Sequence, residues 1–203
     1  TFLGGFLAVC WTDFVQGFMM LISLMVVPIF AISMMGGAEE TVEILNGLGT
    51  NFLNPLYDNG NPQSFVGILS QLAWALGYFG MPHILVRFMA IKNEKEVRKS
   101  RKIGITWVVI SLSTACLMGA VGRAFFVNAP IDNSENVFIE MIGKVFTDNL
   151  HIPFIGGLLL CGILAAIMST ADSQLLVTAS SISEDVYKGV ISKKASDRSM
   201  LMV

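Results

Sequence analysis

The fold is decided first by residues 14–38, which read FVQGFMMLISLMVVPIFAISMMGGA and contain no charged residue. A helix needs about 20 mainly apolar residues to cross a bilayer, because the hydrocarbon core is ~30 Å thick and each residue rises ~1.5 Å. The largely apolar stretch 2–12 extends this run backwards, and Asp13 is the one interruption. We therefore predict a first membrane-spanning helix over about residues 3–35.

Three further runs have the same character, and they predict helices over about residues 65–88, 103–125 and 153–182. The composition agrees, with 54% hydrophobic and 14% charged residues and a mean hydropathy of +0.67. In a chain of 203 residues, four spans leave only short polar links between them. We therefore predict one all-α integral membrane unit rather than soluble domains.

The distribution of charge predicts the orientation of these helices. The net charge of -2 provides no field that would attract nucleic acid, so we expect no nucleic-acid partner. The predicted loop 87–102 is rich in basic residues, whereas the loop 36–64 has no Lys or Arg and the loop 123–152 is mainly acidic. Basic loops stay in the cytoplasm, so we expect loop 87–102, the amino terminus and the basic tail after Ser183 to be cytoplasmic and the other two loops to be outside.

The two outer loops differ in their sequence pattern. Residues 47–62 are rich in Gly, Asn and Pro, which predicts an irregular loop. In the second loop, Ser134 is placed to cap a helix. Apolar residues then repeat at helical spacing, at Val137, Phe138, Met141, Ile142, Val145 and Phe146. We expect this helix to pack on the protein or along the membrane interface, with a lid as the alternative.

An ionisable residue inside a spanning segment is costly unless it is paired or hydrated, and it is therefore a functional candidate. Asp13 is the first such residue, and it could attract a cation that moves through an inner cavity. The alternative is an ordinary interfacial aspartate near a helix start.

The second span contains Gly77, Gly80 and Pro82 close together, and these residues weaken a helix. Pro82 has no N–H group, so the carbonyl of Tyr78 is predicted to lose its usual i+4 donor. Transporters use broken helices at this depth to expose backbone groups to a substrate or a cation. Trp74, Tyr78 and Pro82 would share one face of an α-helix, where they could contact a small solute. An ordinary proline kink is the alternative.

The fourth span has a polar arc and a face of small residues. The polar arc consists of Ser169, Thr170, Asp172, Ser173 and Gln174, and the small face of Gly162, Ala166, Ser169 and Ser173. Hydroxyl and carbonyl oxygens suit a hard cation such as Na⁺. The alternative is close helix packing in which the hydroxyls bond to their own backbone.

Several motifs in these segments resemble the sodium/solute symporter family, and most closely its sodium/proline symporter branch. The motifs are AVCWTD at 8–13 with Gln16, LAWALGYFG at 72–80, PHI at 82–84 with RFMA at 87–90, and AAIMST at 165–170 through SED at 183–185. The resemblance implies a LeuT-type fold of two inverted five-helix repeats. The four spans would be the last helix of the first repeat and the first three of the second. The partner broken helix of the first repeat, expected to complete both binding sites, is not among these residues.

The resemblance also implies roles for individual residues. Sodium would be held by Ala166, Ser169 and Thr170, and Asp13 would lie on the sodium pathway. Trp74, Tyr78 and Pro82 would line the substrate site. Met81 stands where many proline-transporting relatives have Gln, which removes a hydrogen-bonding group near the substrate.

The implied function is sodium-coupled secondary active symport of a small organic solute, most directly L-proline, by alternating access in the plasma membrane. Na⁺ would be the coupling ion, and the resemblance implies no other cofactor and no enzymatic activity. The Met81 departure leaves another amino or organic acid as an alternative substrate. A transporter-like sensory module of a signalling protein is an alternative function. An intramembrane hydrolase using Ser169 and His83 is disfavoured because no glycine-flanked serine motif is present.

Overall fold

The computed structural model describes residues 5–49, 51–58 and 61–192. The helices are α1 Gly5–Met34, α2 Ala38–Gly47, α3 Phe65–Ala73, α4 Pro82–Met89, α5 Glu94–Phe125, α6 Val137–Ile142 and α7 Pro153–Ser181. Two short strands, β1 Tyr57–Asp58 and β2 Asn61–Pro62, pair antiparallel. Trp74–Gly80 and Ser134–Asn136 are 3₁₀-helical, and Gly143–Asn149 and Ile182–Ile191 are π-helical.

Some predicted features lie outside the described residues. These are the start of the first span before Gly5, three positions in the predicted irregular loop, and the end of the basic tail from residue 193.

Three helical segments of the described residues are long and apolar enough to cross a membrane: Gly5–Met34, Glu94–Phe125 and Pro153–Ile191. A fourth candidate consists of Phe65–Tyr78 and Pro82–Met89, which are bent by 47° at the break between them. The described part of the chain is therefore predominantly helical, with three continuous candidate spans and one broken one.

Helix α1 packs most extensively against α7 and next against α5. Helices α1 and α7 approach each other closely at Gly162, where an added Cβ would be 2.6 Å from the Oγ and 2.8 Å from the Cβ of Ser23. Small residues allow two helices to approach this closely. The small face of α7 therefore brings the polar groups of α1 and α7 near each other.

One end of the helices is closed by a cluster of buried side chains, which we call the apolar cluster. It consists of Val27, Ala31, Met118, Val121, Phe126, Met141, Ile142, Val145, Phe146 and Leu159. Helix α6 and the π-helical segment after it contribute four of these residues, each almost completely buried. This segment is therefore a packing element of the fold, rather than a lid.

The cap of this segment differs from the predicted one. The side chain of Asn133, not Ser134, accepts a hydrogen bond from the backbone N–H of Glu135 at 3.0 Å. The predicted cap was wrong by one residue because Asn and Ser both accept such bonds, and local sequence does not distinguish adjacent candidates.

The predicted loop 36–64 contains a helix, α2, that the sequence interpretation missed. Glu39 and Glu40 lie in its first turn, where carboxylates interact favourably with the helix dipole. Thr41 and Leu45, one turn apart, are buried against the rest of the protein. The helix was missed because ten residues with two buried positions give only a weak periodic pattern. In the folded protein, contact with α5 stabilises it.

The predicted basic loop 87–102 is also mostly helical. Arg87 lies in the last turn of α4, and α5 begins at Glu94 instead of residue 103. The Asn93 side chain accepts a hydrogen bond from the N–H of Glu96 at 3.0 Å and caps α5. Lys, Arg and Glu are good helix formers, so the charged residues extend the apolar helix rather than ending it.

Candidate functional site

A cavity of about 530 Å³ opens between α1, α4, α5 and α7. Its polar and aromatic lining residues include Asp13, Gln16, His83, Arg87, Trp107, Ser169, Thr170 and Ser173. They come from the amino-terminal halves of α1 and α5, from α4, and from the carboxy-terminal half of α7. The apolar cluster comes from the opposite halves of α1, α5 and α7, so the cavity lies at the other end of the same helices.

Asp13 is the centre of a polar contact between three helices. Its Oδ2 pairs with the Nη2 of Arg87 from α4 and lies 3.2 Å from the Oγ of Ser173 in α7. Arg87 Nη2 also donates to that Oγ at 2.6 Å. The side chain of Asp13 is only 13% exposed, whereas that of Arg87 is 47% exposed. The carboxylate is therefore largely shielded, and its guanidinium partner remains accessible from the cavity.

Two oxygen atoms beside this contact are buried without a hydrogen-bond partner in the described part of the chain: Asp13 Oδ1 and Gln16 Oε1. The two residues are almost one turn apart on α1, so their side chains lie on the same side of the helix. A buried acceptor without a donor costs about 1–3 kcal/mol. Both residues line the cavity, so a cation there could satisfy them.

Ser169 and Thr170 lie on the α7 side of the cavity together with Ala166. Their hydroxyl groups donate to the carbonyl oxygen of Ala166 at 3.1 Å and 3.2 Å. These bonds agree with the alternative interpretation of the fourth span, in which the hydroxyls hydrogen-bond to the backbone of their own helix. They also bring three oxygen atoms together at the cavity wall, and a hydroxyl oxygen that donates its proton still has lone pairs for a ligand.

Tyr78 and Pro82 do not share the predicted α-helical face. Trp74–Gly80 is a 3₁₀ helix, and with three residues per turn, residues four apart point about 120° away from each other. Tyr78 is 47% exposed, Pro82 is exposed at the start of α4, and neither lines the cavity.

The carbonyl of Tyr78 lacks the i+4 donor, as predicted, but it is not left available. It accepts the N–H of Met81 at 3.4 Å. The tighter turn replaces the missing i+4 donor by an i+3 donor, at a distance that indicates a weak bond.

The cavity lining does not support a hydrolytic site. Both Ser169 and His83 border the cavity, but the Ser169 hydroxyl donates to Ala166 rather than to His83. A nucleophilic serine requires a base within hydrogen-bond reach. Within the described ranges, no group of three or more His, Cys, Asp or Glu residues is arranged to hold a metal ion.

Sequence interpretation assigned no role to Arg87 or Gln16. Arg87 was interpreted as one of several basic residues that determine orientation and as part of the RFMA motif at 87–90, without a role in the site. Its contact with Asp13 joins residues far apart in the chain, and no local pattern predicts such a pair. The available signal was its position five residues after Pro82, next to a predicted helix break.

Known proteins resemble this chain over its whole length. The model of the sodium:solute symporter family matches residues 1–203. The high-affinity proline transporter PutP of Bacillus subtilis is 43% identical over the whole chain and 41% of its own length. The sodium/proline symporter of Salmonella typhimurium is 41% identical, over the whole chain and 40% of its length. The sodium/proline symporter 2 of Staphylococcus saprophyticus is 45% identical, over the whole chain and 39% of its length.

The chain thus spans about two fifths of the length of these relatives. No solved structure gave a significant match. The family resemblance predicted from the motifs around Asp13, Trp74 and Ser169 is confirmed, because the family model covers every residue. This chain belongs to the sodium:solute symporter family.

Proposed function

We propose that the chain is part of a secondary transporter in which Na⁺, moving down its gradient, drives the uptake of L-proline or a closely related solute. The observation that carries this proposal is the cavity in which Asp13 lies among the oxygen groups of Ser169, Thr170 and Ser173. A carboxylate at membrane depth is typical of an ion pathway. The names of the relatives, which are proline transporters and sodium/proline symporters, support proline as the solute. The proposed function is transport, not catalysis.

Na⁺ would bind at Ala166, Ser169 and Thr170. Each of the two hydroxyl oxygens lies within 3.2 Å of the Ala166 carbonyl oxygen, so one small cation beside that carbonyl would have both hydroxyls near it. On binding, the hydroxyl protons would rotate away from the carbonyl and leave three lone pairs for the ion. Oxygen ligands of this kind suit a hard cation.

Asp13 would lie on the path by which Na⁺ enters or leaves this site. It shares the cavity with Ser169 and Thr170, and its Oδ1 has no hydrogen-bond partner among the described residues. A passing cation would gain the attraction of the carboxylate without displacing a donor from that oxygen.

The substrate would bind at the broken span, against Trp74, Tyr78 and Pro82. The exposure of Tyr78 and Pro82 supports an arrangement in which the opposite wall comes from parts of the transporter beyond these 203 residues. The bend of 47° between the two halves of this span fits the discontinuous helices that transporters place at their binding sites. Within a LeuT-type fold, α1 would end the first repeat, and the broken span, α5 and α7 would begin the second.

The proposed location is the plasma membrane, with the amino terminus and the tail of the chain in the cytoplasm. The cavity is lined by the beginning of α1, the end of the broken span, the beginning of α5 and the later half of α7. This arrangement supports helices that alternate in direction, as four spans require. The basic residues between Arg87 and Lys102 lie at the same end, and they favour the cytoplasmic side.

The experiment is uptake of radiolabelled proline into liposomes that contain the full-length transporter. Uptake is measured with an inward Na⁺ gradient, with the same gradient collapsed by a sodium ionophore, and with an equal K⁺ gradient. Accumulation that depends on the Na⁺ gradient supports the proposal.

A correctly inserted protein that accumulates neither proline nor any other small amino or organic acid under a Na⁺ gradient would contradict it. That result would favour the sensory alternative. Uptake of a different acid would retain the transport mechanism and change the solute, and Met81 would then be the first residue to examine.

A further inference from the structure

Arg87 gives the broken span a polar contact with two other helices. Its second half, α4, packs mainly on α7 and on its own 3₁₀ segment. Arg87, in the last turn of α4, reaches beyond α7 and pairs with Asp13 of α1 while it donates to Ser173 of α7 at 2.6 Å. One guanidinium thus holds three helices together at the edge of the cavity.

Among the described residues that line the cavity, Asp13 is the only acidic one. Its Oδ2 accepts hydrogen bonds from Arg87 and Ser173. Its Oδ1 is buried without a hydrogen-bond partner among the described residues, as is Oε1 of Gln16, which lines the same cavity. Asp13 therefore has one oxygen that faces a fixed cation and one oxygen that is ready to accept a mobile cation.

The guanidinium of Arg87 and a Na⁺ ion would compete for the carboxylate of Asp13. With Arg87 in place, the charge of Asp13 is already neutralised by the guanidinium, so the carboxylate compensates a Na⁺ ion at Oδ1 much less well. When Arg87 moves away, the carboxylate is free to compensate Na⁺. Whichever of the two cations binds Asp13 therefore weakens the binding of the other, and this opposition must be reciprocal.

We propose that Arg87 is a tethered competitor of Na⁺ for Asp13, and that arrival of Na⁺ at Asp13 releases the broken span from α1 and α7. Arg87 is a positioning residue, because it acts through Asp13, and its hydrogen bonds go to Asp13 and Ser173 rather than to the proposed sodium ligands Ser169 and Thr170. This inference rests on the proposed function and adds to it a means by which the ion controls the segment that would bind the solute.

The test measures proline uptake by the full-length transporter in liposomes as a function of Na⁺ concentration, with Arg87→Gln as the main variant. Removing the competitor should lower the half-saturating Na⁺ concentration by about five- to tenfold, the lower part of the usual range of coupling between sites. The KM for proline at saturating Na⁺ should stay the same. Arg87→Lys, which keeps the charge but not the planar fork, should give a smaller decrease.

The matched control is Arg98→Gln. Arg98 is an exposed arginine in the same basic region, near the start of α5, and it does not line the cavity. Arg98→Gln should leave the half-saturating Na⁺ concentration unchanged. A decrease that occurs only in Arg87→Gln then excludes a general effect of removing a basic residue from this end of the helices.

A second comparison excludes a merely structural role for Arg87. Asp13→Asn should raise the half-saturating Na⁺ concentration, and adding Arg87→Gln to it should have no further effect, because the competition requires the carboxylate. An equal shift in the two backgrounds would overturn the proposal. So would an unchanged or raised Na⁺ requirement in Arg87→Gln alone.

If Arg87→Gln inserts but does not transport, the Na⁺ concentration that gives half of the maximal thermal stabilisation of the purified protein replaces the uptake measurement. A lower concentration than in the wild type supports the proposal, and an equal or higher one overturns it. Failure of the proposed function is distinguishable, since then the wild-type protein itself shows no Na⁺-driven uptake of any solute.

Discussion

Replacing Gly162 by Ala would test the close contact between α1 and α7. The new Cβ would lie 2.8 Å from the Cβ of Ser23, where an ordinary contact needs at least 3.4 Å, so the helices must separate locally by about 0.6 Å. A change of the Ser23 rotamer does not relieve this contact, because a Cβ does not move with χ1. Overpacking of this kind costs about 1–3 kcal/mol.

The matched control is Gly157→Ala in the same helix, where an added Cβ meets no atom within 4 Å. Both variants gain the same helix propensity, about 1 kcal/mol, so this gain cancels between them. Gly162→Ala should therefore have a free energy of unfolding about 1–3 kcal/mol below that of Gly157→Ala. The assay is reversible unfolding of the full-length protein in mixed micelles.

Ser23→Gly provides a rescue, since it removes both Ser23 atoms and leaves the Met19 carbonyl oxygen, at 3.4 Å, as the nearest remaining contact. In the Ser23→Gly background, Gly162→Ala should no longer be destabilising relative to Gly157→Ala. Equal stability of the two alanine variants in the wild-type background would refute the close packing of α1 on α7.

Three further predictions concern transport by the full-length protein. Ser169→Ala and Thr170→Ala should each raise the half-saturating Na⁺ concentration about tenfold, because each removes one oxygen ligand that contributes ~1.5 kcal/mol to Na⁺ binding. The amount of protein in the membrane should change little. An unchanged Na⁺ dependence would disprove the sodium assignment. Tyr78→Ala should raise the KM for proline more than the half-saturating Na⁺ concentration, and unaltered uptake kinetics would count against the broken span as the substrate site. Met81→Gln should lower the KM for proline relative to other amino acids, measured by competition; an unchanged preference would mean that residue 81 does not face the solute.

The sequence predicts the helical segments well where an apolar run is long. Residues 14–34 form a helix because no polar interruption allows any other structure at membrane depth. The sequence also singles out Asp13, Ser169 and Thr170 as candidates, because polar residues are costly in an apolar segment. The structure then brings all three to the lining of one cavity.

What the sequence does not predict depends on contacts between distant segments or on small differences between helix types. The pairing of Arg87 with Asp13 needs the packing of α4 on α7, which no periodicity encodes. The 3₁₀ helix Trp74–Gly80 differs from an α-helix by one residue per hydrogen-bonded turn. Glycines predict that an α-helix is weakened there, but they do not predict that a 3₁₀ helix forms instead. Helix α2 is too short to be stable without its tertiary neighbours.

The apolar cluster and the cavity occupy opposite ends of α1, α5 and α7, so these helices are stiff at one end and compliant at the other. At the cluster, side chains such as Met141 and Phe146 are completely enclosed, and a packed interior resists deformation. At the cavity, the helices are separated by open volume and joined by a few polar contacts. The displacement of these helices should therefore increase with distance from the apolar cluster. Backbone amide hydrogen exchange in α1 should be slow around Val27 and progressively faster towards Asp13.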